Sequence, residues 1–262
     1  MTTATQESPY GGTLDVSSTS KISIATLVKV EMRKMVDSRS GLWLLIAIGV
    51  ITLLITVIFS FAADAEERTF ASYMGVMATP QGFLLPVLGI LLVTQEWTQR
   101  TGMVTFTLEP HRDKVIWAKV IAALVYGLAA VALAVLLAAL GGLLGGASDP
   151  WGGLGVDDVG KFTMLQVIAV IQGLAFGLIF LNSAAAIVVY FVVPIAFSVV
   201  SSITGAIADI QPWIDLGTAQ IPLFEGGNLT GEEWAQLGVS SLIWVVLPFA
   251  LGMWRVLRAE LK

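Results

Sequence analysis

Glu96–Lys119 reads EWTQRTGMVTFTLEPHRDKVIWAK. It carries Glu96, Arg100, Glu109, His111, Arg112, Asp113, Lys114 and Lys119, and it lies between two long uncharged runs, residues 69–95 and 120–148. A polar hairpin between two apolar runs of bilayer length is expected to sit in water. Four of its charges are Lys or Arg, so that water is expected to be cytoplasmic, where short loops between spans concentrate basic residues.

The composition around it agrees. Of 262 residues, 56% are hydrophobic and only 13% charged, against about 25% charged in soluble domains. Reading uncharged runs against the roughly 20 apolar residues a bilayer needs predicts an all-α, polytopic fold with six transmembrane helices. They fall at about 42–61, 80–94, 120–144, 164–181, 185–205 and 234–254. Residues 162–208 hold two of them, with the turn at Asn182-Ser183.

Lys21–Ser38 is too polar to span. At 100° per residue Ile24, Leu27, Val28, Met32 and Met35 share one side, opposite Lys29, Arg33 and Asp37, the pattern of an interfacial amphipathic helix. Glu31 lands inside the apolar stripe. Either it is solvated near the headgroups, or it faces a basic residue of the 96–119 loop. Residues 1–20 are Ser/Thr/Gly-rich and read as a disordered tail without signal-peptide character.

The sign of charge is segregated along the chain. With both termini inside, cytoplasmic segments hold 12 of 14 basic residues, leaving only Arg68 and Lys161 outside, where 11 of 19 acids also lie. This sets the expected orientation. The longest external loop, 206–233, mixes acids with Trp213, Ile214, Leu223 and Phe224. It reads either as an ordinary loop with aromatic anchoring or as segments dipping into the outer interface. Gly141/Gly145, Gly142/Gly146 and Gly173/Gly177 place small residues one helical turn apart for close helix packing, within the chain or between copies. Pro194, mid-way along the fifth span, is a candidate hinge.

Several chemistries are excluded. There is no cysteine, and His111 is the sole histidine, so thiol chemistry, disulfides and multi-histidine metal sites are out. No H-E-x-x-H or G-x-S-x-G occurs. Gly155–Lys161 fits G-x-x-x-x-G-K, but Phe162 stands where a hydroxyl should hold Mg²⁺ and two Asp stand where phosphates would lie. The chain is therefore expected to have no nucleotide site and no cofactor of its own. No Asp, Glu, Lys, Arg or His falls inside the six expected spans, which argues against an ion-coupled carrier. No nucleic-acid partner is expected.

Glu31-x-Arg33-Lys34 followed by Ser38-Arg39 and a span, then Glu96-x-x-x-Arg100-Thr101-Gly102, Thr105, Pro110-x-Arg112 and Lys119, resembles the permease subunits of bacterial type-2 ATP-binding-cassette (ABC) exporters. The six-span layout with a long last external loop is similar too. His111 departs from the pattern, since relatives often have a small residue between the Pro and the Arg. The resemblance implies an N-terminal elbow helix at 21–38, carrying Glu31, Arg33 and Lys34. It also implies a coupling segment at 96–119 that docks on a separate ABC ATPase, which alone would bind ATP. Coupling residues would be Glu96, Trp97, Arg100, Thr101, Gly102, Phe106, Pro110 and Arg112, with Trp97, Met103, Val104 and Phe106 as apolar knobs on one helix starting near Glu96. A second permease copy or a related one, surrounding lipid and a bacterial plasma-membrane location are implied as well. The rival readings are a non-transporting scaffold or sensor that recruits a cytoplasmic partner, and a secondary carrier.

Overall fold

A computed structural model of the chain describes residues 22–99, 101–152, 155–204, 209–224 and 227–258. The N-terminal tail and Arg100 lie outside these residues. Among the described residues all regular structure is helical. In chain order the helices are α1 (Ile24–Asp37), α2 (Arg39–Ala62), α3 (Phe70–Thr98), α4 (Gly102–Leu108), α5 (Arg112–Gly145), α6 (Val156–Phe180), α7 (Ser183–Thr204), the short α8 (Gln211–Ile214) and α9 (Leu216–Ala219), α10 (Gly231–Ser241) and α11 (Leu247–Arg258). A π-helical stretch, Leu242–Val246, joins α10 to α11 immediately ahead of Pro248. Five helices are long and apolar enough to cross a bilayer: α2, α3, α5, α6 and the joined Gly231–Arg258. α7 is apolar over the shorter stretch Ser183–Phe197.

Local chemistry sets the ends. Ser38 closes α1 and opens α2, its hydroxyl accepting the Gly41 N–H, so the amphipathic helix turns into the first long one at a single residue. Asn182 Oδ1 accepts the Ala185 N–H at the start of α7, just after α6 stops on Leu181 in a left-handed conformation (φ 51°). Thr230 and Glu233 form a reciprocal capping box at the start of α10.

The second span departs from the sequence expectation. α3 begins at Phe70, not Pro80, and runs 29 residues through both Pro80 and Pro86. A proline inside a helix loses one backbone bond, and tertiary contacts outweigh that here. Thr69 caps the first turn, while the N–H groups of Phe70 and Ala71 donate to the carbonyls of Pro150 (3.0 Å) and Gly152 (3.3 Å).

α3 is the centre of the bundle, touching α2, α5, α6 and α7. Its contact with α6 is backbone on backbone. A Cβ on Gly173 would lie 2.1 Å from the Pro86 carbonyl oxygen, and one on Gly89 2.3 Å from that of Val170. Such approach is the use small residues have between helices in lipid. Gly173 and Gly177 thus pack within the chain, both against α3. Buried polar groups along the α2–α3 seam are bonded locally, Thr52 to Ile48 O (2.6 Å) and Thr56 to Thr52 O (2.8 Å). Gln81 Nε2 reaches Ala130 O on α5 (3.0 Å).

The 206–233 segment is no simple surface loop over its described part. Leu216, Ala219 and Leu223 are buried against Leu165, Leu237 and Val245. The indole N–H of Trp244 donates to Ile214 O at 2.6 Å. Trp213 and Ile214 are half-buried, and Phe224 is exposed.

Candidate functional site

The first turns of α5, the last turns of α3, α6 and α11, and the whole of α1 and α4 gather at one end of the bundle. Arg112 donates to Val256 O (2.8 Å), Tyr126 to Met32 O on α1 (2.8 Å), and Arg255 to Ile179 O. This is the end where most of the basic residues lie.

Inside it is a closed square of charge. Glu31 Oε1 lies 2.7 Å from Lys34 Nζ, and Glu31 Oε2 lies 2.5 Å from Lys119 Nζ. Glu96 Oε1 lies 2.7 Å from Lys34 Nζ, and Glu96 Oε2 lies 3.3 Å from Lys119 Nζ. Each carboxylate bridges both ammoniums, and each ammonium bridges both carboxylates. Lys119 also donates to Leu92 O (2.9 Å). Thr105 of α4 donates to Glu96 Oε1 (2.8 Å) and lies 3.4 Å from Lys34 Nζ. Glu31, Glu96 and Lys119 are each no more than 3% exposed, while the Lys34 side chain is 35% exposed. Burial of single charges is prohibitive, but two of each sign in alternation satisfy one another.

This corrects the expectation of a hairpin in water at the two ends of 96–119, while Gln99, Thr107 and Asp113 between them are exposed. Glu96 belongs to the last turn of α3, and Lys119 sits two turns into α5. The long helices run past their uncharged stretches because the charges at their ends are matched inside the protein. Glu31 faces Lys119, so it is the second of its two sequence readings that holds. The single knob-bearing helix starting near Glu96 is also corrected: α3 ends at Thr98 and α4 starts at Gly102.

α4 has two faces. Gly102 and Phe106 are buried and Thr105 half-buried, whereas Met103, Val104 and Leu108 are 54, 61 and 71% exposed. Trp97 and Phe106, two of the expected knobs, point inward instead. Their rings meet edge-on at 5.9 Å, and the Arg112 guanidinium lies over Phe106 at 5.1 Å. Thr101 opens α4, its N–H donating to Glu96 O (2.9 Å). Pro110 is exposed, and its carbonyl accepts the Arg112 N–H (3.0 Å). Arg33 is exposed and only loosely paired with Asp37 (3.6 Å). His111 bonds Glu109 through its ring Nδ1 (2.8 Å) and its backbone N–H (3.2 Å). Those bonds, with Lys114 beyond, hold the Glu109 carboxyl below the usual carboxylate range. Pro194 is not part of this assembly; α7 continues through it, and it lines a separate cavity.

Two members were not picked out as site residues from sequence, Lys119 and Thr105. The signal for Lys119 was present, as an isolated cation beside an apolar run and an acid misplaced in the α1 stripe. Nothing in sequence joins positions 88 residues apart. No protein-family model matches the chain, and no curated protein aligns with it.

Proposed function

We propose that the chain is the membrane subunit of an ATP-binding-cassette exporter of a bacterial plasma membrane. In this reading α2, α3, α5, α6, α7 and the joined α10–α11 are six spans. α1 is the interfacial elbow helix, and the end carrying the charge square is cytoplasmic. The observation that carries the reading is the division of α4 into a fastened face and an open one. Thr105 and Phe106 tie it to the square, to Trp97 and to Arg112. Met103, Val104 and Leu108 stand outward and exposed. A motor that closes on ATP can move spans only through an element rigid on one side and accessible on the other. The square makes α1, α3, α4 and α5 one body at that end, so force on α4 would reach two spans at once. A second copy of this chain or a related permease completes the path, with Pro194 as a candidate bending point. Cargo is amphipathic or apolar.

Purification from the native membrane tests this. An ATPase with a complete phosphate-binding loop should accompany the chain and hydrolyse ATP. Val104→Asp and Leu108→Asp should release it while the chain still inserts. Arg100→Glu, outside the described residues, is expected to abolish transport likewise. Capture of a non-ATPase partner through α4 would instead favour the scaffold reading, and transport by the chain alone would favour the carrier.

A further inference from the structure

The cavity that Pro194 lines, about 280 Å³, opens between α3, α6, α7, the α8–α9 segment and the joined α10–α11 helix. Phe83, Tyr190, Phe191 and Trp244 form its walls. These rings belong to one continuous run of aromatic contacts. Phe83 meets Phe191 at 5.6 Å, Phe191 meets Tyr190 edge-on at 5.0 Å, and Tyr190 meets Phe176 at 5.7 Å. Phe176 stacks on Trp244 at 6.5 Å. The Tyr190 hydroxyl donates to Gln172 Oε1 (3.3 Å), which orients the ring.

Into this lining the α8–α9 segment carries Asp215. The residue is 7% exposed. Its place is fixed from the preceding position, where Ile214 O takes the Trp244 indole N–H. Trp244 stands 13 residues into its helix, about 20 Å along the axis at 1.5 Å per residue. Asp215 therefore lies beside the middle of that helix, in a cavity that α3, α6 and α7 also line.

Its carboxylate accepts from the N–H groups of Gly217 (3.3 Å) and Thr218 (3.2 Å) and from the Thr218 hydroxyl (2.6 Å). These are neutral donors. Among the described residues no Lys, Arg or His forms an ion pair with Asp215. A negative charge that is hydrogen-bonded but not neutralised thus stands beside four aromatic walls. Ring faces are themselves negative, so a ring face turned to the cavity would add to the attraction Asp215 has for a cation. A small metal ion would need several oxygen ligands, and no cluster of three metal-binding side chains occurs among the described residues. Aromatic faces with a carboxylate suit a weakly hydrated organic cation.

We propose that this cavity binds a single-ring lipophilic organic cation, its ammonium between Asp215 and the aromatic walls. The size follows from the volume, just below the roughly 300–1,000 Å³ usual for ligand pockets. That such a cation is cargo rests on the exporter reading; that it binds does not.

Equilibrium dialysis of radiolabelled benzyltrimethylammonium against the purified full chain in detergent tests the site, with empty micelles as the blank. Saturable binding is expected. Asp215→Asn keeps an acceptor for the α9 cap and removes the charge, so affinity should fall about tenfold or more. Phe191→Leu leaves Asp215 untouched and should weaken binding several-fold, which keeps the test decisive if the first variant misfolds. No saturable uptake by the wild-type chain, or equal binding by a folded Asp215→Asn, overturns the proposal and leaves Asp215 a helix cap only. If the chain binds the cation but no ATPase accompanies it from the native membrane, the exporter reading fails and this site stands. A chain that recruits an ATPase but takes no cation would do the reverse.

Discussion

At the residue scale the charge square makes a prediction of unusual sign. Removing one member of a buried ion network leaves an uncompensated charge, at a cost of about 3–5 kcal/mol. Lys119→Met leaves Glu31 and Glu96 with Lys34 alone, and the Glu96 oxygen that faced Lys119 at 3.3 Å loses its cation. A marked drop in the thermal unfolding midpoint in detergent is expected. Because the square alternates, deleting one charge of each sign leaves a matched pair, Lys34 with Glu96 at 2.7 Å. The double variant Glu31→Met with Lys119→Met should therefore be more stable than Lys119→Met. Deleting two of one sign, Glu31→Gln with Glu96→Gln, should be worse than either single change, since two ammoniums then face each other. If the charge-balanced double variant unfolds earlier than the single one, the four groups are not acting as one closed network.

At the element scale the α3–α6 contact decides whether the bundle closes. Gly173→Ala would drive a methyl into Pro86 O, C and Cα at 2.1, 2.6 and 2.6 Å, all backbone atoms. Neither helix can yield locally, so the loss should reach or exceed the roughly 1–3 kcal/mol of ordinary overpacking. Gly49→Ala on α2 meets nothing within 4 Å and should be neutral or slightly stabilising, since glycine costs about 0.5–1 kcal/mol in a helix. Yield of folded protein and its unfolding midpoint would separate the two; equal behaviour would show that the helices are not in backbone contact. This contact was half-legible in sequence. The Gly173/Gly177 spacing announced a close approach, but its partner Gly89 stands alone, because an approach between helices needs a small residue on each side and no fixed spacing on both. Helices bounded by polar residues were read closely, as with the Asn182-Ser183 break. α3 was read ten residues short at its start because Pro80 looked like a beginning. What fixes the start at Phe70 is a pair of carbonyls, Pro150 and Gly152, contributed from beyond α5. The apolar face of α4 was partly read, since Met103 and Val104 do point outward. Phe106 and Trp97 were assigned to the wrong side because their inward turn depends on Arg112 and on the square.

At the scale of the whole molecule the question is which way the bundle faces. The two basic residues that break the charge segregation are both occupied at the end opposite the square. Arg68 donates to Ala63 O (3.0 and 2.8 Å) and to Gly145 O (3.2 Å), joining the α2–α3 turn to the end of α5. Lys161 donates to Gly227 O and lies 3.8 Å from Asp158. Their positive charge is engaged in structure, so they weigh little against the basic residues at the other end, which favour the cytoplasm. The absence of cysteine makes the orientation directly measurable, because any introduced thiol is the sole one. Lys29, Thr107 and Asp113 are exposed at the square's end, and Glu66 and Ser148 at the far end. Cysteine at either of the last two should react with a membrane-impermeant maleimide applied to intact cells. Cysteine at any of the first three should react only after the membrane is opened. Labelling of Thr107→Cys from outside would put the open face of α4 in a compartment without ATP. Since α4 is fastened to the square on one side and presents Met103, Val104 and Leu108 on the other, no cytoplasmic motor could then drive this bundle through that face.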